Sequence, residues 1–94
     1  MIRLEDGLRL LEKFRRTAVV VACEENSHPW TEVSNNKSLD IPFPDAVGKG
    51  VSLGLGIALA RPDKKVIVLD SDGGLLTSLG ALATVAGKEP QNLF

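Results

Sequence analysis

Asp72 stands at the end of an apolar, β-branched run, Val66-Ile67-Val68-Leu69-Asp70-Ser71, and is followed at once by Gly73 and Gly74. Where a strand gives way to a helix, the first helical N–H groups lack partners inside the helix and face any approaching anion. Two glycines let a diphosphate come close to the backbone there. A carboxylate beside phosphate oxygens repels them unless a divalent cation lies between. Magnesium is commonly held by one or two carboxylates together with substrate phosphates. Ser71, Asp72, Gly73 and Gly74 therefore have the chemistry of a magnesium–diphosphate site, with Asp72 as the metal ligand. Asp-Gly after a strand is also ordinary turn chemistry, and Asp72 as a plain helix cap is the commoner account of these residues taken alone.

Other residues offer less. Gly54-Leu55-Gly56 has part of the spacing of a dinucleotide fingerprint, but no strand runs into it and it falls mid-helix, so close helix packing explains it better. His28 is the single histidine and has no Cys, Asp or Glu at ligand spacing, so it reads as a solvated loop residue. Cys23 reads as a small buried hydrophobe and Glu24-Glu25 as a solvated strand end. Trp30 anchors its loop either to the domain or to a partner.

These residues are positioned by alternating elements. Ile2, Leu4, Leu8, Leu11 and Phe14 fall near helical spacing among charged residues and predict an amphipathic first helix. Ala18-Val19-Val20-Val21-Ala22-Cys23 suits a strand buried on both faces, as in a parallel sheet. From Glu24 to about Ala46 periodicity is lost, with Pro29, Pro42 and Pro44 in a polar stretch, which reads as one long loop. A small-residue helix is expected from about Gly48 to Ala60, a second strand at Val66–Asp70 and a nearly uncharged helix from Leu75 to about Gly87. Asn92-Leu93-Phe94 reads as the start of a third strand. The order predicts an α/β fold, a parallel sheet with helices on both faces, in which ligands bind beyond the carboxyl ends of the strands. Cys23–Glu25 and Asp70–Gly74 are two such ends on one edge.

The 94 residues make at most one small domain, read here as a partial one spanning 1–94. A net charge of −1 gives no basic field, so nucleic acid is not an expected partner. One cysteine forms no intrachain disulfide and fits a reducing compartment. No signal-peptide core is visible near the start, and the weakly polar stretch Val51–Ala60 is too short for a bilayer, so a cytoplasmic protein without membrane contact is expected. A small sheet with uncovered edges and apolar helix faces is expected to self-associate.

From Asp45 to Phe94 the sequence resembles the diphosphate-binding domain of thiamine diphosphate-dependent decarboxylases. The likeness is nearest to sulfopyruvate and phosphonopyruvate decarboxylase β-type chains, with acetolactate synthase-type enzymes more distant. It rests on Gly54–Asp63, Val66–Gly74 and Leu79-Gly80-Ala81-Leu82-Ala83-Thr84, in order and at matching spacing, and on Asn92-Leu93. The resemblance implies thiamine diphosphate and Mg2+ as cofactors, with Asp72 on the metal and Ser71, Gly73 and Gly74 at the diphosphate. It also implies a turn Asp45-Ala46-Val47-Gly48 facing the aminopyrimidine ring, which adds Val47 and Gly48 to the site. Ser71 stands where the family has the first glycine of Gly-Asp-Gly, and Gly74 where it often has Ser or Ala. The motif's closing asparagine is expected beyond Phe94, and the family's cofactor-activating glutamate belongs to a pyrimidine-binding domain. The implied function is the diphosphate and metal side of a 2-oxo acid decarboxylase-type lyase, inactive alone and without a catalytic residue of its own. It would act in a homo- or hetero-oligomer with a pyrimidine-binding domain or subunit. The alternative is a truncated, non-catalytic interaction fragment that has lost cofactor binding.

Overall fold

The computed structural model describes residues 1–94. Eight main elements follow in order: α1 (Leu4–Arg15), β1 (Val19–Cys23), α2 (Ser27–Val33), β2 (Asp40–Phe43), α3 (Gly50–Ala60), β3 (Val66–Leu69), α4 (Asp72–Thr77) and α5 (Gly80–Lys88). The strands form one parallel sheet in the order β2-β1-β3. Asn92–Phe94 adds a short parallel segment outside β3: Val66 N–H donates to Asn92 O, Phe94 N–H to Val66 O and Val68 N–H to Phe94 O. The expected strand start is present, but as the fourth strand position of the sheet.

Side-chain alternation divides the sheet into two apolar faces. Val20 and Ala22 of β1 pack with Leu8 of α1 and Trp30 of α2, with Leu11, Ile67 and Leu69 alongside. Val21 and Cys23 pack with Ala58 of α3 and Val66 of β3 on the opposite face, with Val68 and Leu93 alongside. This is the expected three-layer α/β arrangement. The central strand β1 is buried from Val20 to Cys23, as its uninterrupted apolar run requires. The first helix buries only part of its stripe, since Ile2, Leu4 and Phe14 remain exposed while Leu8 lies inside.

The stretch 24–46 is not one loop. A 3-10 turn at Glu24–Asn26 leads into α2, and a second at Lys37–Leu39 leads into β2. Pro29 sits in the first turn of α2, where its missing N–H costs nothing. Pro42 is tolerated because β2 is an edge strand. These elements are held by polar contacts that hydrophobic periodicity does not reveal. The buried Arg15 guanidinium donates from Nη2 to Asp40 Oδ1 at 2.8 Å and to Ala18 O at 3.0 Å, and from Nη1 to Ser34 Oγ at 3.2 Å. Trp30 Nε1 donates to the same Asp40 oxygen at 3.0 Å, and Arg15 lies 5.3 Å from the Trp30 ring centre. The charge of Arg15 thus ties α1, α2 and β2 together.

The expected single helix after β3 is also corrected. It starts at Asp72 rather than Leu75 and breaks at Ser78-Leu79 into α4 and α5. In α3, a Cβ on Gly50 would come within 2.2 Å of Cys23 Sγ and one on Gly54 within 2.3 Å of Val68 Cγ2, whereas Gly56 faces open space. Close approach of α3 to the sheet is therefore the role of Gly54, as expected. Asn92 Nδ2 donates to Ala58 O, Arg61 O and Lys64 O at 3.0, 3.1 and 2.7 Å, which closes the turn from α3 into β3.

Candidate functional site

β1 and β3 are parallel neighbours in register, Val19 beside Val66 through Ala22 beside Leu69. Their carboxyl ends must therefore open on the same rim. Two contacts join those ends: Ser71 Oγ donates to Glu24 Oε2 at 2.6 Å, and Asn26 Nδ2 donates to Asp70 O at 3.4 Å. Glu24 holds a left-handed backbone, φ +50°, which turns the chain back over the strand tip.

Ser71 is the N-cap of α4, with extended φ −104° and ψ 162°. Its Oγ accepts from Gly74 N–H at 2.9 Å, and its backbone O accepts from Leu75 N–H at 2.9 Å. A side-chain cap of this kind contributes about 1 kcal/mol to a helix start. Asp72, the first residue of α4, is exposed. Its Oδ1 accepts from Gly73 N–H at 2.9 Å, and it joins no ion pair. Space for a Cβ on Gly73 is open, the nearest group being Ser71 Oγ at 4.0 Å. Gly74 is the reverse: a Cβ there would meet Asp70 Oδ1 at 2.3 Å and Glu24 Oε1 at 2.5 Å. Asp70 Oδ1 in turn accepts from Ser71 N–H at 2.8 Å.

The turn before α3 reaches the same helix. Gly48 has φ +81°, a conformation that favours glycine, and a Cβ on it would lie 2.6 Å from Ser78 Oγ and 3.1 Å from Thr77 Cγ2. Val47 beside it is exposed. Beneath α4 and α5 lies a cavity of about 330 Å³ lined by Val51, Val68, Leu75, Leu82 and Leu93, with Asp70 the one polar group in its wall. It is apolar, so anion chemistry belongs to the rim above it. Nowhere do three or more His, Cys, Asp or Glu side chains converge as a protein-only metal cage. A magnesium ion at Asp72 would keep water and phosphate oxygens as its other ligands, which suits that hard cation.

Residues 25–92 match the family described as thiamine pyrophosphate enzyme, C-terminal TPP binding domain. The chain belongs to this family. The chain is 36% identical over 85 residues to a phosphonopyruvate decarboxylase of Streptomyces viridochromogenes, covering 90% of this chain and 21% of the relative. It is 46% identical over 49 residues to a sulfopyruvate decarboxylase subunit beta of Methanothermobacter thermautotrophicus, covering 52% of this chain and 26% of the relative. The chain thus spans about a fifth to a quarter of the length of these curated relatives.

Within the chain, Ser71, Asp72, Gly73 and Gly74 form one turn at the rim, and Gly48 packs at the far end of the six-residue α4. His28 is remote in character: its ring is exposed and lies 3.4 Å from Glu32 on α2. Trp30 anchors to the domain itself, buried to 1% exposure. Cys23 is buried as expected, and burial pushes its thiol up to about 11, with the Asp70 and Glu24 carboxylates adding to the effect. Such a thiol is neutral at physiological pH and is neither nucleophile nor metal ligand. Two site residues escaped the reading of the sequence. Glu24 is a partner of Ser71 rather than a solvated strand end, and Asp70 holds the Ser71 amide. Their positions at two adjacent strand tips were the available signal, but side-chain pairing across 47 residues leaves no local pattern.

Proposed function

We propose that this chain supplies the diphosphate and magnesium side of a thiamine diphosphate-dependent 2-oxo acid decarboxylase-type lyase. A pyrimidine-binding domain or subunit would complete the site. The observation that carries the reading is Asp72: an exposed carboxylate with no cationic partner, at a strand-to-helix turn whose next residue, Gly73, has open space where a side chain would stand. An unpaired carboxylate beside an anion-facing turn is accounted for by a divalent ion between them. The phosphonopyruvate and sulfopyruvate decarboxylases among the relatives support the reaction class.

In this reading Asp72 holds the metal, and the metal draws the diphosphate to the turn. Gly73 puts no side chain in the way of the phosphate oxygens, and its N–H, which Asp72 Oδ1 accepts at 2.9 Å, would be released to them as that carboxylate turns to the metal. Ser71 fixes the start of α4, and Gly74 packs that start onto the strand tips. Val47 and Gly48 present backbone towards the aminopyrimidine ring. When bound, thiamine diphosphate would supply the electron sink on which a 2-oxo acid loses carbon dioxide. No side chain of this chain is assigned a proton-transfer role, so the partner would carry it.

The second reading, an interaction fragment without cofactor binding, is favoured by the turn's own hydrogen bonds: the Gly74 N–H is taken by Ser71 Oγ and the Gly73 N–H by Asp72 Oδ1. Calorimetry separates the two. Thiamine diphosphate is titrated into the chain assembled with its pyrimidine-domain partner, with magnesium and then with excess chelator. Binding is expected only with the metal, and Asp72→Ala weakens it at least about tenfold. Metal-independent binding, or an Asp72→Ala variant of unchanged affinity, would contradict the proposal. Silence under all conditions would favour the fragment.

A further inference from the structure

The contacts of Ser71 and Gly74 are reciprocal. The Ser71 hydroxyl donates its proton to Glu24 Oε2 at 2.6 Å and accepts the Gly74 N–H at 2.9 Å. A hydroxyl has one proton and two lone pairs, so the carboxylate acceptor fixes which way the proton points and leaves a lone pair for the amide. The bond to a carboxylate is charge-assisted and short, hence the stronger of the two. Glu24 is itself constrained by its left-handed backbone at the tip of β1. Holding Glu24 over Ser71 fills the space above residue 74, since a Cβ there would meet Glu24 Oε1 at 2.5 Å, Asp70 Oδ1 at 2.3 Å and Ser71 Oγ at 3.1 Å. Position 74 has room for glycine alone while Asp70, which accepts the Ser71 N–H, and Glu24, which accepts the Ser71 hydroxyl, hold these places.

We infer that Glu24 is a positioning residue for the cofactor turn, acting through Ser71, and that Ser71 and Gly74 form a compensated pair. In this chain the hydroxyl at 71 caps the helix, and glycine at 74 makes way for the carboxylate that orients it. The functional meaning rests on the proposed role of Asp72-Gly73. By fixing the residues on both sides, Glu24 sets the direction of the Asp72 carboxylate and of the Gly73 amide. The chain therefore positions its metal ligand from a neighbouring strand, across 47 residues of sequence.

The test needs no cofactor, so its failure is distinct from failure of the functional reading. Amide hydrogen exchange at Gly74 is measured by NMR in the 94-residue chain and in Ser71→Ala, Glu24→Ala and Glu24→Gln. Loss of the cap is expected to speed exchange roughly fivefold in the two alanine variants, the factor that one lost hydrogen bond implies. Glu24→Gln, whose amide oxygen still accepts from Ser71, is expected to restore most of the protection. Unchanged exchange in Ser71→Ala, or equal exchange in Glu24→Gln and Glu24→Ala, would overturn the inference. The pairing is read separately from melting temperatures. Gly74→Ala is expected to lower the Tm, and to lower it by less when Ser71→Gly also releases Glu24, with Asp70 still in place as the remaining obstacle. Equal drops in the two backgrounds would overturn the compensation. If Gly74→Ala alone fails to fold, the comparison is made with Asp70→Ala in both backgrounds, where a smaller drop with Ser71→Gly supports the pairing and an equal drop overturns it.

Discussion

Ser71 changes meaning between sequence and structure. It stands where the family has a glycine, yet its backbone is extended at φ −104°, which any residue adopts. What matters is the hydroxyl, which the sequence displays but whose partner, Glu24, only the fold supplies. Asp72 and Gly73 were legible because their chemistry is local: a strand end, a carboxylate and a backbone without a side chain. Cys23 was legible as a buried residue, and its surroundings add a pH dependence. The thiol rises from 9.0 to about 11 through burial first and then through Asp70 and Glu24. The fold therefore favours the neutral form. This contribution is fully present below pH 9.0 and is lost as the pH rises through about 11, because the unfolded chain ionises first. Denaturant unfolding of wild type and Cys23→Ala is expected to show a loss of stability over that window in wild type alone. At neutral pH, alkylation in the native state is expected to be at least about a hundredfold slower than in denaturant, since two pKa units alone reduce the thiolate by that factor.

At the scale of elements, legibility followed length and periodicity. α1 carries helical apolar spacing, β1 and β3 uninterrupted apolar runs free of proline, and α3 an uncharged run of small and apolar residues. α2 and β2 are seven and four residues long, contain Pro29 and Pro42, and fold because a polar network holds them. That network has a buried charge pair at its centre: the Arg15 and Asp40 side chains are 1% and 8% exposed. Removing Asp40 leaves the buried Arg15 charge with Glu12, at 3.3 Å, as its one remaining carboxylate partner. Asp40→Ala is accordingly expected to cost about 3 kcal/mol or more. Trp30→Phe, which removes one neutral donor to the same carboxylate and little volume, should cost about 1 to 2 kcal/mol. Urea unfolding of both variants checks the order, and an Asp40→Ala variant as stable as Trp30→Phe would show that the pair is not what holds β2. The split of α4 from α5 was not legible, because Ser78-Leu79 carries no strong breaker. It follows from packing, since Gly48 occupies the space beside Thr77 and Ser78.

Over the whole molecule, the alternation of helices and strands was enough to give a three-layer parallel α/β arrangement, and membership of the TPP-binding family agrees with it. The order β2-β1-β3 was not legible, because β2 was hidden in the stretch read as loop. No helix is long and apolar enough to cross a membrane. Leu76, Leu79 and Leu82 on α4, α5 and the turn between them are exposed at 71%, 54% and 42%, and Val47 joins them at 49%. A pyrimidine-domain partner or a second copy, as proposed, would give these side chains a cover beside the cofactor rim. The account as a whole depends on a metal ion held between Asp72 and a diphosphate. Manganese(II), a paramagnetic substitute for magnesium, reports that position directly through broadening of nearby amide signals. With thiamine diphosphate present, broadening is expected to centre on Asp72 and Gly73, to fade along α4, and to disappear in Asp72→Asn. Broadening centred elsewhere, or unchanged in Asp72→Asn, would contradict the account.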